Sequence, residues 1–342
     1  MSSGDRVRGA FTGLAIGDAA GWPAARHRWA RLAPWTRRLG RELDAFAEEH
    51  RLTALPVPFA LNQPVAALAI GPSDDAEWLA WTARTLHGDR RAAFAALDPG
   101  VRARISVRTA LDNLARGLDP PASGHDNPHF FDDAAAVRAV AFGTAFPGDR
   151  AVRAARADAE VTNAEDGVHG AAAMAAAVAV AVAGGSAEAV VAAGLAELPP
   201  GTAIRQAALA ALDVPGDAFA AIPGLDAAVQ DHVYSYGLAA AQTVPVALAL
   251  TRASGGDLSR AVPAAACLAS LADSAPALTG ALTGAITGYA ALPERWRESA
   301  RVLAGCCLPD LAGADIVAIA DDIADDIADD IAERRGSTKG QQ

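Results

Sequence analysis

"RGAFTGLAIGDAAGWP", residues 8–23, places Gly13, Gly17 and Gly21 four residues apart. On a helix, residues at that step share one face. A face made of glycine has no side chains, so another backbone can approach it closely. Far along the chain, "SAPALTGALTGAITGYAAL" (274–292) steps its glycines by four in the same way. It is long enough to suggest a membrane span. However, it holds Pro276, is rich in Thr and Gly, and has little Leu, Ile or Phe. A buried helix with a small, close-packing face is the better reading.

The composition points the same way. Of 342 residues, 52% are hydrophobic and only 5% aromatic, and alanine supplies most of the apolar share. Alanine is the best helix former and adds little bulk, so a core built from it must consist of closely packed helices. Helical periodicity recurs over most of the chain, between breakers such as "LPVPFALNQP" (55–64), "LDPPASGHDNPHF" (118–130) and "DVPGD" (213–217). No stretch alternates polar and apolar residues with β-branched enrichment, as a strand would. We therefore expect an all-α, single compact multi-helix domain over residues 1–335, with 336–342 as a disordered tail. Near its end the ADDI unit puts Ile316, Ile319, Ile323, Ile327 and Ile331 on one helical face and acids on the other, so this helix either closes the bundle or meets a partner.

The formal net charge is −11 and no basic stripe appears, so a nucleic-acid partner is not expected. An acidic protein that takes a phosphate-bearing ligand needs metal ions or helix N-termini to do so. The N-terminus lacks the apolar core of a signal peptide, and no segment reads as a membrane span. Cys267, Cys306 and Cys307 are odd in number and form no C-x-x-C. They read as buried thiols of a reduced, cytoplasmic protein.

Three acidic stretches carry potential chemistry. In "GPSDDAEWLAW" (71–81), Ser73, Asp74 and Asp75 precede an apolar helix. Read plainly, they are a helix cap with acids against the dipole. Read functionally, they are half of a site for a hard cation, which wants several oxygens. Asp273 and Ser274 again put a carboxylate and a hydroxyl before a helix. Asp18 sits beside Gly17 and either anchors a loop or accepts from a sugar hydroxyl.

In order, these stretches resemble the ADP-ribosylglycohydrolase family: "GAFTGLAIGDAAGWP", then "SDD", then the late "DS" followed by "ALTGALTGAITGYAALPERW". "AAAVRAVAFGTAFPGD" (134–149), "DAEVTNAEDGVHGAAAMAAAVAVAVAGG" (158–185) and "YSYGLAAAQTVPVALAL" (234–250) resemble its middle segments. The resemblance implies an all-α fold around a binuclear Mg²⁺ site and hydrolysis of an N- or O-glycosidic bond of an ADP-ribosyl or related ribosyl substrate, protein-linked or small. By the same resemblance Ser73, Asp74, Asp75, Asp273 and Ser274 are the metal ligands, and Asp75 and Asp273 carry acid–base roles. Asp18, Asn163, Tyr234 and Tyr236 are the ligand contacts it implies.

The chain departs from the family pattern at polar positions. Leu271 stands where the late motif usually has a second aspartate, and Ala76 where a hydroxyl follows the paired acids. Ala25 replaces an expected acid, and Thr162 is followed by Asn163 rather than His. Such a pattern leaves open a working hydrolase with one or two Mg²⁺, a catalytically inactive ADP-ribose or nucleotide-binding pseudo-enzyme, and a bare scaffold. Glu77, Glu165, Asp166 and the run Arg26–His27–Arg28 are possible substitutes for the missing groups. Residues 33–64, with Trp35, Phe46, Phe59, Asn62 and Gln63, form either a lid or a surface-packed helix and loop.

Overall fold

The computed structural model describes residues 1–21, 45–46, 48–51, 71–98, 100–229 and 237–339, with side chains to 327. In chain order the helices are α1 (Ser3–Gly21), α2 (Asp74–Arg84), α3 (Arg90–Ala95), α4 (Ile105–Ala115), α5 (Ala122–His125), α6 (Ala134–Ala145), α7 (Gly148–Thr162) and α8 (Asp166–Val182). They continue with α9 (Ala187–Ala196), α10 (Ala203–Asp213), α11 (Ile222–Val229), α12 (Ala240–Ala253), α13 (Leu258–Ala266), α14 (Ala275–Thr287), α15 (Glu294–Ser299) and α16 (Ile316–Lys339). Among the described residues, β pairing is confined to two isolated antiparallel bridges, Asp132 with Ala239 and Val302 with Asp315. The all-α expectation holds.

The centre is built from helices that are apolar nearly all round. In α14, residues 275–285 are all buried, and α1 is buried from Gly9 to Ala19. These two helices make the tightest contact of the fold. A Cβ at Gly13 would collide with the Gly280 carbonyl oxygen, one at Gly17 with that of Pro276, and one at Gly284 with that of Gly9. The two glycine-stepped stretches thus face one another, backbone against backbone. Helices α6, α8 and α12 complete the core, and amphipathic helices such as α7 cover it.

A buried ion triad ties α3, α6 and α7 together. Asp158 accepts from Arg90 Nε and from Arg138 Nε, both at 2.8 Å, and Arg138 is wholly buried. Arg138 also donates to Thr162 Oγ1 at 2.7 Å, and both guanidinium groups lie over aromatic rings, including Phe94. Helix α16 buries Ile316, Ile319 and Ile323 and packs on α1, as its isoleucine face requires. It continues through residues 336–339 of the expected tail, and 340–342 lie outside the described residues.

Candidate active site

Three helix N-termini meet at one place: those of α2, α6 and α14. Each brings acidic or hydroxyl groups, namely Ser73, Asp74 and Asp75; Asp132 and Asp133; and Asp273 and Ser274. Residues 74–75 and 273–274, two hundred positions apart in sequence, are neighbours in space.

Ser73 occupies the N-cap position of α2, yet its side chain makes no capping bond. Asp18, at the end of α1, does this work instead. Its Oδ2 accepts from the backbone N–H of Ser73 at 2.7 Å and of Ala76 at 3.0 Å, and its Oδ1 accepts from the Ser73 hydroxyl. Burial and the nearby Asp74 charge push Asp18 up to about 7 against these hydrogen bonds. Only 1% exposed, Asp18 serves in this structure as an anchor. Asn163 is engaged likewise. It is fully buried, and its Nδ2 donates to Phe130 O, Asp132 O and Asp132 Oδ1 while its Oδ1 accepts from Thr162. It holds the loop before α6. Tyr234, Tyr236, Ala25, Arg26, His27, Arg28, Trp35, Phe59, Asn62 and Gln63 lie outside the described residues.

Glu77 is turned toward another segment of the site. Its carboxylate accepts from the backbone N–H of Cys306, Cys307 and Leu308 at 2.8, 2.7 and 2.9 Å, pinning that loop beside the site. The Cys306 and Cys307 sulfurs lie within 4.8 Å of Glu77, a possible metal-binding group by proximity. The hydrogen bond with Cys306, together with burial, pushes the Cys307 thiol up.

The residue that sequence reasoning missed is Arg104, immediately before α4. Its side chain is 7% exposed and lies among the acids. Nη2 donates to Asp75 Oδ1 at 2.6 Å and to Ser274 Oγ at 2.5 Å, and Nη1 faces the Asp133 carboxylate. Asp74 lies 3.9 Å from the same Nη2. Burial works to lower the Arg104 pKa, but the charges of Asp75, Asp74 and Asp273 outweigh it and raise it further, so the group stays cationic. Burial holds the Asp75 carboxyl well above the usual range despite Arg104. Its Oδ2 has no hydrogen-bond partner among the described residues, a place where a proton can sit.

These residues do not fit a divalent metal in the expected position. Arg104 already contacts or faces Asp74, Asp75 and Ser274, three of the five expected ligands. A dication at those oxygens would have to displace a fixed guanidinium that already serves them, since the two cations repel one another at such range. The oxygens that would offset this are reduced, because Leu271 is wholly buried in the apolar core and Ala76 offers only a backbone N–H, already bonded to Asp18.

Above the cluster opens a cleft of about 530 Å³, lined by Ser73, Asp74, Asp273, Arg102, Arg104 and Arg108 with Cys306 and Cys307 at one wall. In a chain of net charge −11, this concentration of arginines over acids makes a mixed-charge pocket. Such a pocket suits a ligand that carries both hydroxyls and anionic groups.

The site is thus a set of acids brought from separate helix N-termini of an all-helical domain to a polar cleft. The ADP-ribosylglycohydrolase sequence profile matches residues 1–336, and the chain belongs to that family. A solved structure described as an "ADP-ribosylglycohydrolase-related protein complex" is similar in fold, with a TM-score of 0.62 at 20% identity over 95% of this chain and 99% of that one. No curated protein matches the sequence. Among the described residues, no helix is long and apolar enough to cross a membrane.

Proposed function

We propose that the chain hydrolyses the glycosidic bond of an ADP-ribosyl or related ribosyl substrate held in the Asp74/Asp273/Arg104 cleft. The observation that carries this reading is the convergence of Asp74, Asp75 and Asp273 beside a cleft of the right chemistry. Asp273, at the cleft wall, takes a proton from water as its oxygen attacks the anomeric carbon. The bond to the leaving nitrogen or oxygen breaks, and the leaving group takes up a proton. Asp75, its carboxyl shifted upward by burial, is the neighbouring acid that supplies it. The arginines at the rim attract the anionic end of the substrate.

Chromatographic release of ADP-ribose from an ADP-ribosylated arginine substrate tests this. Asp273→Asn is expected to lower the rate by about 100-fold or more.

A second reading, a binder without turnover, is favoured by Arg104 lying among the acids and by Leu271 and Ala76 standing where oxygens are expected. Binding of ADP-ribose measured by calorimetry, with no release from any substrate, selects it.

A further inference from the structure

We propose that Arg104 is the resident cation of the acid cluster: its guanidinium occupies the place a divalent ion would need, so the cleft works without one. Four observations carry this. First, the guanidinium joins three helices at once, with Nη2 spanning Asp75 on α2 and Ser274 before α14 while Nη1 faces Asp133 before α6. A planar cation with several fixed donors suits such a convergence of oxygens.

Second, the acids it serves are themselves buried. Asp133 is 0% and Asp75 2% exposed, and any charge they carry would stand in the interior uncompensated without a cation. Third, the segment that delivers Arg104 is fastened in place. Glu77, two residues after Asp75, holds the backbone of 306–308, and the Cys307 carbonyl accepts from Arg102 N at 3.1 Å. Arg108, one turn on, closes back to the Val101 carbonyl. The arginine is thus part of the frame rather than a mobile surface arm. Fourth, Leu271 lies in the apolar core and Ala76 on the Asp18 cap, so neither adds a side-chain oxygen to the cluster. Arg104 holds this place whatever ligand the cleft takes.

The test is titration of metal-stripped protein with Mn²⁺, followed by electron paramagnetic resonance and calorimetry. It uses the wild type, Arg104→Ala, and Arg104→Ala combined with Asp75→Asn. Wild type is expected not to bind Mn²⁺ at the cluster. Arg104→Ala is expected to gain a site at least about 100-fold tighter, lost again in the double variant. If Arg104→Ala is unstable alone, refolding with Mn²⁺ or Mg²⁺ is expected to rescue it, while sodium at equal ionic strength is not. Wild-type binding that Asp75→Asn abolishes overturns the proposal. So does a folded Arg104→Ala that gains no site, or an unstable one that divalent ions fail to rescue. None of these readouts depends on turnover, so failure of the hydrolase reading is seen separately.

Discussion

The carboxylate of Asp18 caps a helix that starts at Ser73, 55 residues further along the chain, accepting from the backbone N–H of Ser73 and of Ala76. The end of α1 and the start of α2 are therefore one structural unit, and that unit is the floor beneath Asp74 and Asp75.

Removing the carboxylate should show this. Asp18→Ala leaves two buried N–H groups unpartnered, which costs about 2–3 kcal/mol. Urea denaturation is the check. A loss below about 0.5 kcal/mol would mean the cap contributes nothing.

The same residue gives a pH dependence. Its pKa in the fold, about 7, lies above the ordinary 3.8, so the folded state binds the proton more tightly than the unfolded chain. The stabilisation from that proton is complete below about 4 and is lost as pH rises through 7. Between pH 5 and 8 wild type should lose stability relative to Asp18→Asn. Equal slopes for the two proteins would sink the assignment.

Asp158→Ala strands Arg90 and Arg138 in the interior and should destabilise by about 3–5 kcal/mol. Removing Asp158 and Arg138 together, as Asp158→Leu with Arg138→Met, should cost less than the sum of the single changes. Thermal melts of the four proteins decide it; additive losses would mean the triad is not coupled.

Gly13→Ala forces a Cβ against the Gly280 carbonyl and should destabilise by at least about 1–3 kcal/mol. Gly4→Ala in the same helix meets only Ala324 Cβ at 3.5 Å and should stay within about 1 kcal/mol of wild type. Similar melting temperatures for both variants would refute the close contact.

Much of this architecture could be read from residues. The glycine steps in 8–23 and 274–292 announced a close helix pair, and those helices prove to be each other's partners. The isoleucine face of α16 is buried where it begins. Local rules failed where breakers sit inside helices. Helix α11 contains Pro223 and Gly224, and α5 lies within "PPASGHDNP", so neither showed a periodic signal. In the site, proximity was readable but duty was not. Asp18 and Asn163 have the polarity of ligand contacts, yet backbone groups from distant segments use them up. "FFDDAAAV" at 130–137 repeats the pattern of an acid pair before an alanine helix seen at 74–75, a signal that could have found Asp133. Arg104 carried no local signal. Its meaning arises only from which three helix ends converge around it.

The clasp of α1 on α14 divides the labour of the molecule. The residues that fix the relative position of Asp18 and Ser274 are glycines and carbonyl oxygens, which take no part in the chemistry of the cleft. The polar groups of the cleft set its charge and leave that clasp untouched. The clasp and the polar cluster are thus two separate fastenings of the same helices, one made of backbone and the other of charge, and a change in the charges of the cleft leaves the glycine contact itself in place.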